Sequence, residues 1–135
     1  MSGSGGGGIP TLLLIAADWQ SRALAVAELQ DRGYDVMALP GLRYAVKALV
    51  DERVVPLLIV LDVHDDEDAT PRRVEQLLDL APDAPLILIV GVYDRATWEP
   101  LRVRAAAWLQ RPVSVGEVAE AVERVMPRPY NSFSS

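Results

Sequence analysis

A cluster of acidic residues around the only histidine is the part of this sequence best suited to chemistry. His64 lies among five acids that fall within seven residues, namely Asp62, Asp65, Asp66, Glu67 and Asp68. Clustered carboxylates can bind a divalent cation such as calcium. The spacing lacks the glycine and the distal glutamate of an EF-hand calcium loop. We therefore interpret the cluster as a solvated acidic loop that could select a basic partner.

Other patterns for binding or catalysis are incomplete. Asp62 and His64 match the start of the cobalamin-binding pattern Asp-x-His-x-x-Gly, but Glu67 replaces its glycine. No Gly-x-Ser-x-Gly segment lies between a strand and a helix, so a serine hydrolase is not indicated. The glycine-rich start lacks the Gly-Lys-Ser/Thr ending of a phosphate-binding loop. Because the chain has no cysteine, disulfides and thiolate zinc sites are excluded.

The composition favours one globular domain that avoids polyanions. The chain has 135 residues, 50% of them hydrophobic, which is about the length of a single domain. Its 13 Lys and Arg face 19 Asp and Glu, a net charge of -6, so direct binding to nucleic acid or anionic lipid is disfavoured. No apolar run reaches the roughly 18–20 residues of a membrane span. We expect a soluble, cytoplasmic protein.

Short apolar runs alternate with segments of helical periodicity, which is typical of βα units around a parallel sheet. The predicted strands are residues 12–16, 36–39, 57–61, 86–90 and 106–109. Pro56 is expected to precede the third strand. That strand ends next to Asp62, and open parallel sheets place their chemistry at the carboxyl ends of strands.

Capping residues predict where the intervening helices begin. Asp18 caps the first helix, Thr70 with Pro71 begins the third, and Ser114 with Glu117 forms a capping box for the last. Gly33 is placed to end the first helix. The apolar positions expected to face the core are Ala23, Val26, Ala27 and Leu29 in the first helix, Ala45, Ala48 and Leu49 in the second, Val74, Leu77 and Leu78 in the third, and Val118, Ala121, Val122 and Val125 in the last. A short helical piece interrupted by Pro100 completes the set of five helices.

Both ends of the chain are expected to lie outside the domain. Residues 1–8 consist mainly of glycine and serine and are interpreted as a flexible linker or a cloning remnant. The domain itself is predicted over residues 9–126. Residues 127–135 are interpreted as a tail or the start of an interdomain linker, and an output domain beyond Ser135 remains an open alternative.

The order and spacing of these elements resemble the receiver domain of bacterial two-component response regulators. The stretch Leu-Leu-Ile-Val-Leu-Asp at 57–62 is similar to the phosphoacceptor strand, and residues 85–90 are similar to the fourth strand. Trp-Leu-Gln-Arg-Pro at 108–112 resembles the aromatic-x-x-Lys-Pro stretch at the end of the fifth strand. The resemblance implies a flavodoxin-like (CheY-like) α/β three-layer sandwich with five parallel strands in the order 2-1-3-4-5 and five helices.

The resemblance also implies a degenerate phosphoacceptor site, a pseudo-receiver. Asp62 matches the phosphoacceptor, but Ala16 and Ala17 match the two acids that hold the cation, and Asp18 lies one residue too far along. The family's hydroxyl residue matches Val90 and its lysine matches Arg111. Its switching aromatic residue matches Trp108, which we expect to lie opposite Val90 and to be fixed. We expect Asp62 to pair with Arg111.

The predicted function is therefore a phosphorylation-independent protein–protein interaction module in signalling, not an enzyme, with no cofactor. The alternative is a phosphoacceptor receiver that a histidine kinase phosphorylates on Asp62, with Mg²⁺ held atypically by Asp18 and Asp65. In receivers, the face of the fourth helix, fifth strand and fifth helix commonly contacts a partner or a second copy. The apolar residues expected on this interaction surface are Trp98, Leu101, Val103 and Trp108. Trp19 and Tyr93 are expected to be partly buried against helices.

Overall fold

The computed structural model describes residues 9–127, which form a three-layer α/β sandwich. Its strands are β1 (Ile9–Ala16), β2 (Val36–Leu39), β3 (Val54–Asp62), β4 (Leu86–Val90) and β5 (Ala107–Gln110). Its helices are α1 (Trp19–Asp31), α2 (Leu42–Val50), α3 (Pro71–Leu80), α4 (Arg95–Trp98) and α5 (Val115–Val125). All neighbouring strands are parallel, in the order β2-β1-β3-β4-β5. The predicted flavodoxin-like (CheY-like) fold is confirmed. The predictions for residues 1–8 and for the tail after Pro127 lie outside the described residues.

Two apolar layers hold the helices to the sheet. One joins β1, β3 and β4 to α2 and α3, and the other joins the opposite face of the same strands to α1 and α5. All five residues of β4 are buried, because helices cover both faces of a parallel sheet. Packing on both faces therefore holds the carboxyl ends of β1, β3 and β4 in place.

The start of β3 differs from the prediction. The strand begins at Val54, so Pro56 lies inside it and pairs with Thr11 of β1. The register then shifts, because Leu58 and not Leu57 is the partner of Leu12. Leu57 is the extra residue of this irregularity and is half-exposed, which corrects its assignment to the buried strand. The predicted strand at 106–109 is displaced by one residue in β5.

The caps of α1 are confirmed, but its buried side is different. Ser21 N–H donates to the Asp18 carboxylate at 2.8 Å, and Gly33 after the helix has a φ of 91°, a conformation that glycine adopts without strain. Ala23 and Ala27 are exposed, which contradicts the prediction. The buried residues are Ala25 and Leu29. This pair, four residues apart, packs against the sheet and α5, and the alanines lie on the solvent side.

The other helix starts agree with their predicted caps. Arg73 N–H donates to the Thr70 hydroxyl, with Pro71 in the first turn of α3. Ser114 and Glu117 form both hydrogen bonds of the capping box. The predicted core positions of α2 and α3 are buried, and those of α5 are buried except Val125, which is half-buried. The segment around Pro100 is a short α4 followed by a 3₁₀ helix at Glu99–Arg104.

Candidate functional site

Asp62 lies at the carboxyl end of β3, between the ends of β1 and β4. Its register partners are Ala16 in β1 and Ile89 in β4. Only 8% of the residue is exposed. One carboxylate oxygen, Oδ1, accepts the backbone N–H of His64 at 3.0 Å, and the other, Oδ2, accepts an N–H of the Arg111 guanidinium. Both oxygens of this buried carboxylate are therefore occupied by donors of the same chain.

Arg111 comes directly after β5 and is fixed at its backbone as well as its side chain. Its backbone N–H donates to the carbonyl of Val90 at 2.8 Å, which holds the residue at the edge of the sheet. From there its Nη1 atom forms the ion pair with Asp62. The pairing of these two residues that the sequence suggested is present. The Asp62 carboxylate requires such direct hydrogen bonding, because it is buried and has lost much of its water.

Burial raises the pKa of the Asp62 carboxyl above 3.8. The His64 N–H and the positive charge of Arg111 act in the opposite direction, because both stabilise the carboxylate. Loss of solvent outweighs these two contributions. The cation beside Asp62 is the Arg111 side chain, and its charge offsets part of the effect of burial on the pKa.

The end of β1 offers methyl groups where a cation would need oxygen ligands from side chains. Ala16 is buried, and neither it nor Ala17 can coordinate a metal ion through its side chain. Arg22, from the first turns of α1, reaches back and donates to the carbonyls of Ala16 at 2.7 Å and Ala17 at 3.3 Å. This role of Arg22 was not predicted from the sequence, although its place four residues after the helix cap was a visible signal.

Asp18 is also committed to its own helix. Its carboxylate accepts the Ser21 N–H, and this hydrogen bond is the main reason that the pKa of Asp18 is lowered. Within residues 9–127, no three His, Asp or Glu side chains come close enough together to hold a metal ion. The atypical cation site built from Asp18, Asp62 and Asp65 is therefore not assembled in the described part of the chain.

Val90 and Trp108 lie on the same face of the sheet but are not strand partners. Trp108 pairs in register with Leu88, and Val90 pairs with Gln110, so the prediction that Trp108 lies opposite Val90 is wrong. Trp108 is therefore offset by two residues from the partner of Val90. Val90 is fully buried and carries no hydroxyl. The Trp108 ring packs on the core and stacks under the Arg102 guanidinium at 4.8 Å from its centroid, a cation–π contact that favours one ring position.

Comparisons with solved structures identify the fold. A response regulator receiver domain from Clostridium thermocellum superimposes with a TM-score of 0.71 and 13% identity, covering 86% of this chain and 92% of the other. The receiver domain of NtrX from Brucella abortus gives 0.70 and 20%, covering 84% and 95%. The chain has the fold of a receiver domain.

The other comparisons agree with the receiver fold and assign no function to the chain. A structure described as an adenylate cyclase from Rhodopirellula baltica matches the receiver fold of this chain with a TM-score of 0.68 and 12% identity, covering 87% of this chain and 92% of the other. No family model matches the sequence, and no curated protein matches it. At these identities the likeness establishes the receiver fold, and the function must be argued from the site.

The acidic loop of this receiver fold is more tightly bound than the sequence suggested. Asp66 accepts the N–H of Leu42 at 2.8 Å and so caps α2, while its other oxygen accepts the Asp68 N–H. Asp68 forms ion pairs with Arg43 and Arg73, and the hydrogen bond from Arg43 is the main cause of its lowered pKa. The interpretation as a solvated loop is therefore wrong for Asp66 and Asp68, which tie the loop to α2 and α3.

The remainder of the loop is exposed. Asp65 has a φ of 60° and lies 3.3 Å from the imidazole of His64. Glu67 is exposed as well. His64 donates its backbone N–H to the Asp62 carboxylate, and its imidazole lies beside the Asp65 carboxylate. The exposed negative surface of the loop is therefore formed by Asp65 and Glu67, and it is smaller than the five acids of the sequence suggest.

The expected apolar interaction surface also needs correction. Trp98 is only 4% exposed and Leu101 is fully buried, because both pack into the core formed with α3 and β4. Val103 is 92% exposed and keeps its predicted place on the surface. Tyr93 is 96% exposed and Trp19 is largely exposed, which contradicts the expectation of partial burial. Among residues 9–127, no helix is long and apolar enough to cross a bilayer.

Proposed function

We propose that this protein is a signalling module of the pseudo-receiver type, which binds other proteins without being phosphorylated and catalyses no reaction. One observation carries the proposal: the partly buried Arg111 guanidinium forms an ion pair with the buried Asp62 carboxylate. A carboxylate accepts a phosphoryl group by attacking phosphorus through an oxygen lone pair, and donors held on both oxygens lower its nucleophilicity. Here Oδ2 is held by Arg111 and Oδ1 by the His64 N–H.

The surroundings of Asp62 support the same proposal. Phosphoryl transfer to a carboxylate brings negative charges together, and a divalent cation normally offsets them. The side chains of Ala16 and Ala17 supply no oxygen, and Val90 supplies no hydroxyl to a phosphoryl oxygen. We therefore propose that the protein requires neither Mg²⁺ nor another cofactor. In this proposal, Asp62 forms a structural ion pair with Arg111 and does not accept a phosphoryl group.

The proposed partner is a protein or a second copy of this chain, bound through the face that includes α4, β5 and α5. Val103, after α4, exposes nearly its whole side chain there, and Arg102 lies beside it over Trp108. An exposed apolar residue beside an arginine is a common feature of protein interfaces. The net charge of -6 disfavours nucleic acid and anionic membranes as partners. The chain has no cysteine that would require an oxidising compartment, and we propose the cytoplasm.

The phosphorylation test compares the protein with a variant that restores the missing groups. We expect acetyl phosphate or beryllofluoride with millimolar Mg²⁺ to leave the wild type unchanged in intact mass and tryptophan fluorescence. The variant Ala16→Asp/Ala17→Asp/Val90→Thr/Arg111→Lys serves as the positive control. An acid-labile adduct on the wild type that disappears in Asp62→Asn would overturn the proposal and support the alternative of a phosphoacceptor with an atypical cation site.

The interaction surface has its own test. Size-exclusion chromatography with light scattering measures whether the chain self-associates, and affinity capture measures binding of a partner. We expect Val103→Glu to weaken either association, because it places a charge at the apolar position. Val50→Glu, at an exposed valine near the amino ends of the strands, is the matched control. Equal effects of the two variants would show that Val103 is not part of the interface.

A further inference from the structure

A cavity of about 320 Å³ lies directly beside the Asp62–Arg111 pair. Its walls come from the carboxyl ends of β1, β3 and β4 and from the facing sides of α1 and α5. This volume is at the lower end of the range of small-molecule sites, which is about 300–1,000 Å³. The cavity faces the α1 and α5 layer, so it is separate from the Val103 surface proposed for protein binding.

The lining of this cavity is almost entirely aliphatic. Leu14, Ile89 and Val118 form its buried walls, and the methyl group of Ala25 leaves space between the helices. Leu24 lies at the rim, where it is half-exposed and available to cover a bound molecule. At an apolar lining of this kind, replacement of water by an apolar ligand lowers the free energy and so favours binding.

Three polar residues also line the cavity: Ser21 of α1, and the charged pair Asp62 and Arg111, which share one wall. The charges of this pair offset one another. Arg111 directs one N–H at Asp62, and a guanidinium carries several further donors. An anionic ligand would be repelled by the negative charge of Asp62, and a cationic ligand would be repelled by the positive charge of Arg111. An uncharged ligand avoids both repulsions, and one acceptor oxygen lets it accept a hydrogen bond from Arg111.

We infer that this cavity is a binding site for a small, uncharged, mostly apolar molecule that carries one carbonyl or similar acceptor oxygen. The aliphatic walls would hold the ring or chain of the ligand, and Arg111 would donate to its oxygen. The site goes beyond the proposed interaction function and does not depend on it. Ala16 contributes to its lining, so the residue that cannot hold a cation also widens the space for an apolar molecule.

The test uses three probes built on the same bicyclic skeleton: 1-indanone, indane and indane-1-carboxylate. Methyl-labelled Leu and Val residues are followed by NMR while each probe is titrated into the full chain. We expect 1-indanone to shift the methyl signals of Leu14, Leu24, Val113 and Val118, with a dissociation constant of about 0.1–1 mM. Indane and the carboxylate are each expected to bind roughly tenfold more weakly, because the first lacks the hydrogen bond and the second meets Asp62.

Variants distinguish this site from surface adhesion. Arg111→Met should remove the preference for 1-indanone over indane, and Ala25→Leu should abolish binding by filling the cavity. Ala23→Leu, at an exposed position of the same helix, should bind as the wild type does. If Ala25→Leu does not fold, Val113→Phe fills the cavity from the opposite wall. Absence of shifts at these methyl groups, equal affinity for the three probes, or retention of binding in the filled variants would overturn the inference.

Discussion

Ala16 at the end of β1 and Asp62 at the end of β3 are register partners in adjacent parallel strands. Adjacent strands lie about 4.8 Å apart, so the residue at position 16 is an immediate neighbour of the carboxylate. A methyl group there leaves the negative charge of Asp62 to be balanced from the other side of β3, on the same face of the sheet. Arg111 provides that balance from the end of β5.

Acids introduced at the end of β1 should make the fold dependent on a cation. We expect Ala16→Asp/Ala17→Asp to lower stability by about 2–3 kcal/mol without Mg²⁺, because it crowds carboxylates near the buried Asp62. Added MgCl₂ should restore much of the loss, as binding to the folded state does. Thermal unfolding with and without MgCl₂, at constant ionic strength, measures both effects.

The control for this experiment is Ala23→Asp/Ala27→Asp, which adds the same charge at exposed positions of α1. Its melting temperature should not respond to MgCl₂ beyond the effect of salt. A wild-type protein that gains as much from Mg²⁺ as the double variant would show that a cation binds without these acids.

Removal of Arg111 should cost more than removal of the whole ion pair. Arg111→Met leaves the buried Asp62 carboxylate without its cation, and we expect a loss of about 2–3 kcal/mol in the free energy of unfolding. Asp62→Leu/Arg111→Met removes both charges and should recover most of that loss. Urea denaturation of the single and double variants measures the coupling. If the double variant were as unstable as Arg111→Met, the uncompensated charge of Asp62 would not be the cause of the lost stability.

The raised pKa of Asp62 gives a pH dependence of defined sign. Its folded-state pKa lies above 3.8, so the folded protein binds more protons than the unfolded chain in that interval. The contribution of Asp62 to stability is complete below 3.8 and is lost as the pH rises through the raised pKa. The free energy of unfolding of the wild type, relative to Asp62→Asn, should therefore decrease with pH over this range and then level off.

Asp18 serves as the control of opposite sign. Its pKa is lowered by the Ser21 N–H, so its contribution is present above 3.8 and is lost as the pH falls through the lowered value. Relative to Asp18→Asn, the wild type should gain stability as the pH rises. Urea denaturation of the three proteins at a series of pH values should give slopes of opposite sign, and slopes of the same sign would contradict the assignment for Asp62.

Much of the sheet could be predicted because continuous apolar runs and helix caps are local signals. The five residues of β4 and the capping box at Ser114 depend on sequence neighbours alone. The ends of β3 and β5 could not be placed as well, because pairing across the sheet decides them. The shift beside Leu57 depends on its alignment with β1, which has no local signature.

The site was predictable in its residue types and less so in its contacts. Asp62 and Arg111 could be paired because the resemblance to receiver domains matches them to the family's phosphoacceptor and its lysine. The roles of Asp66 and Arg22 were missed, since each depends on a backbone group brought close by folding. Trp98 was misplaced on the surface because a single turn of helix has too few residues to show which side is buried.

Asp66 should stabilise the fold far more than its acidic neighbour Glu67. Its carboxylate accepts the Leu42 N–H at the start of α2, and we expect Asp66→Ala to cost about 1–2 kcal/mol, the usual range for a lost helix cap. Glu67→Ala removes the same charge from an exposed position and should change stability by less than about 0.5 kcal/mol. Equal losses in urea denaturation would show that net charge, not the cap, is responsible.

Trp98 and Val103 should separate core packing from surface interaction. Because the Trp98 indole is buried with Leu101 against α3 and β4, we expect Trp98→Ala to lower the free energy of unfolding by about 3–5 kcal/mol. Val103→Ala removes an exposed side chain and should change stability by less than about 0.5 kcal/mol. Urea denaturation followed by circular dichroism measures both. A loss below about 1 kcal/mol for Trp98→Ala would place the indole outside the core. With the expected result, weakened partner binding by Trp98→Ala would reflect a damaged fold, whereas weakened binding by Val103→Ala would reflect a lost contact.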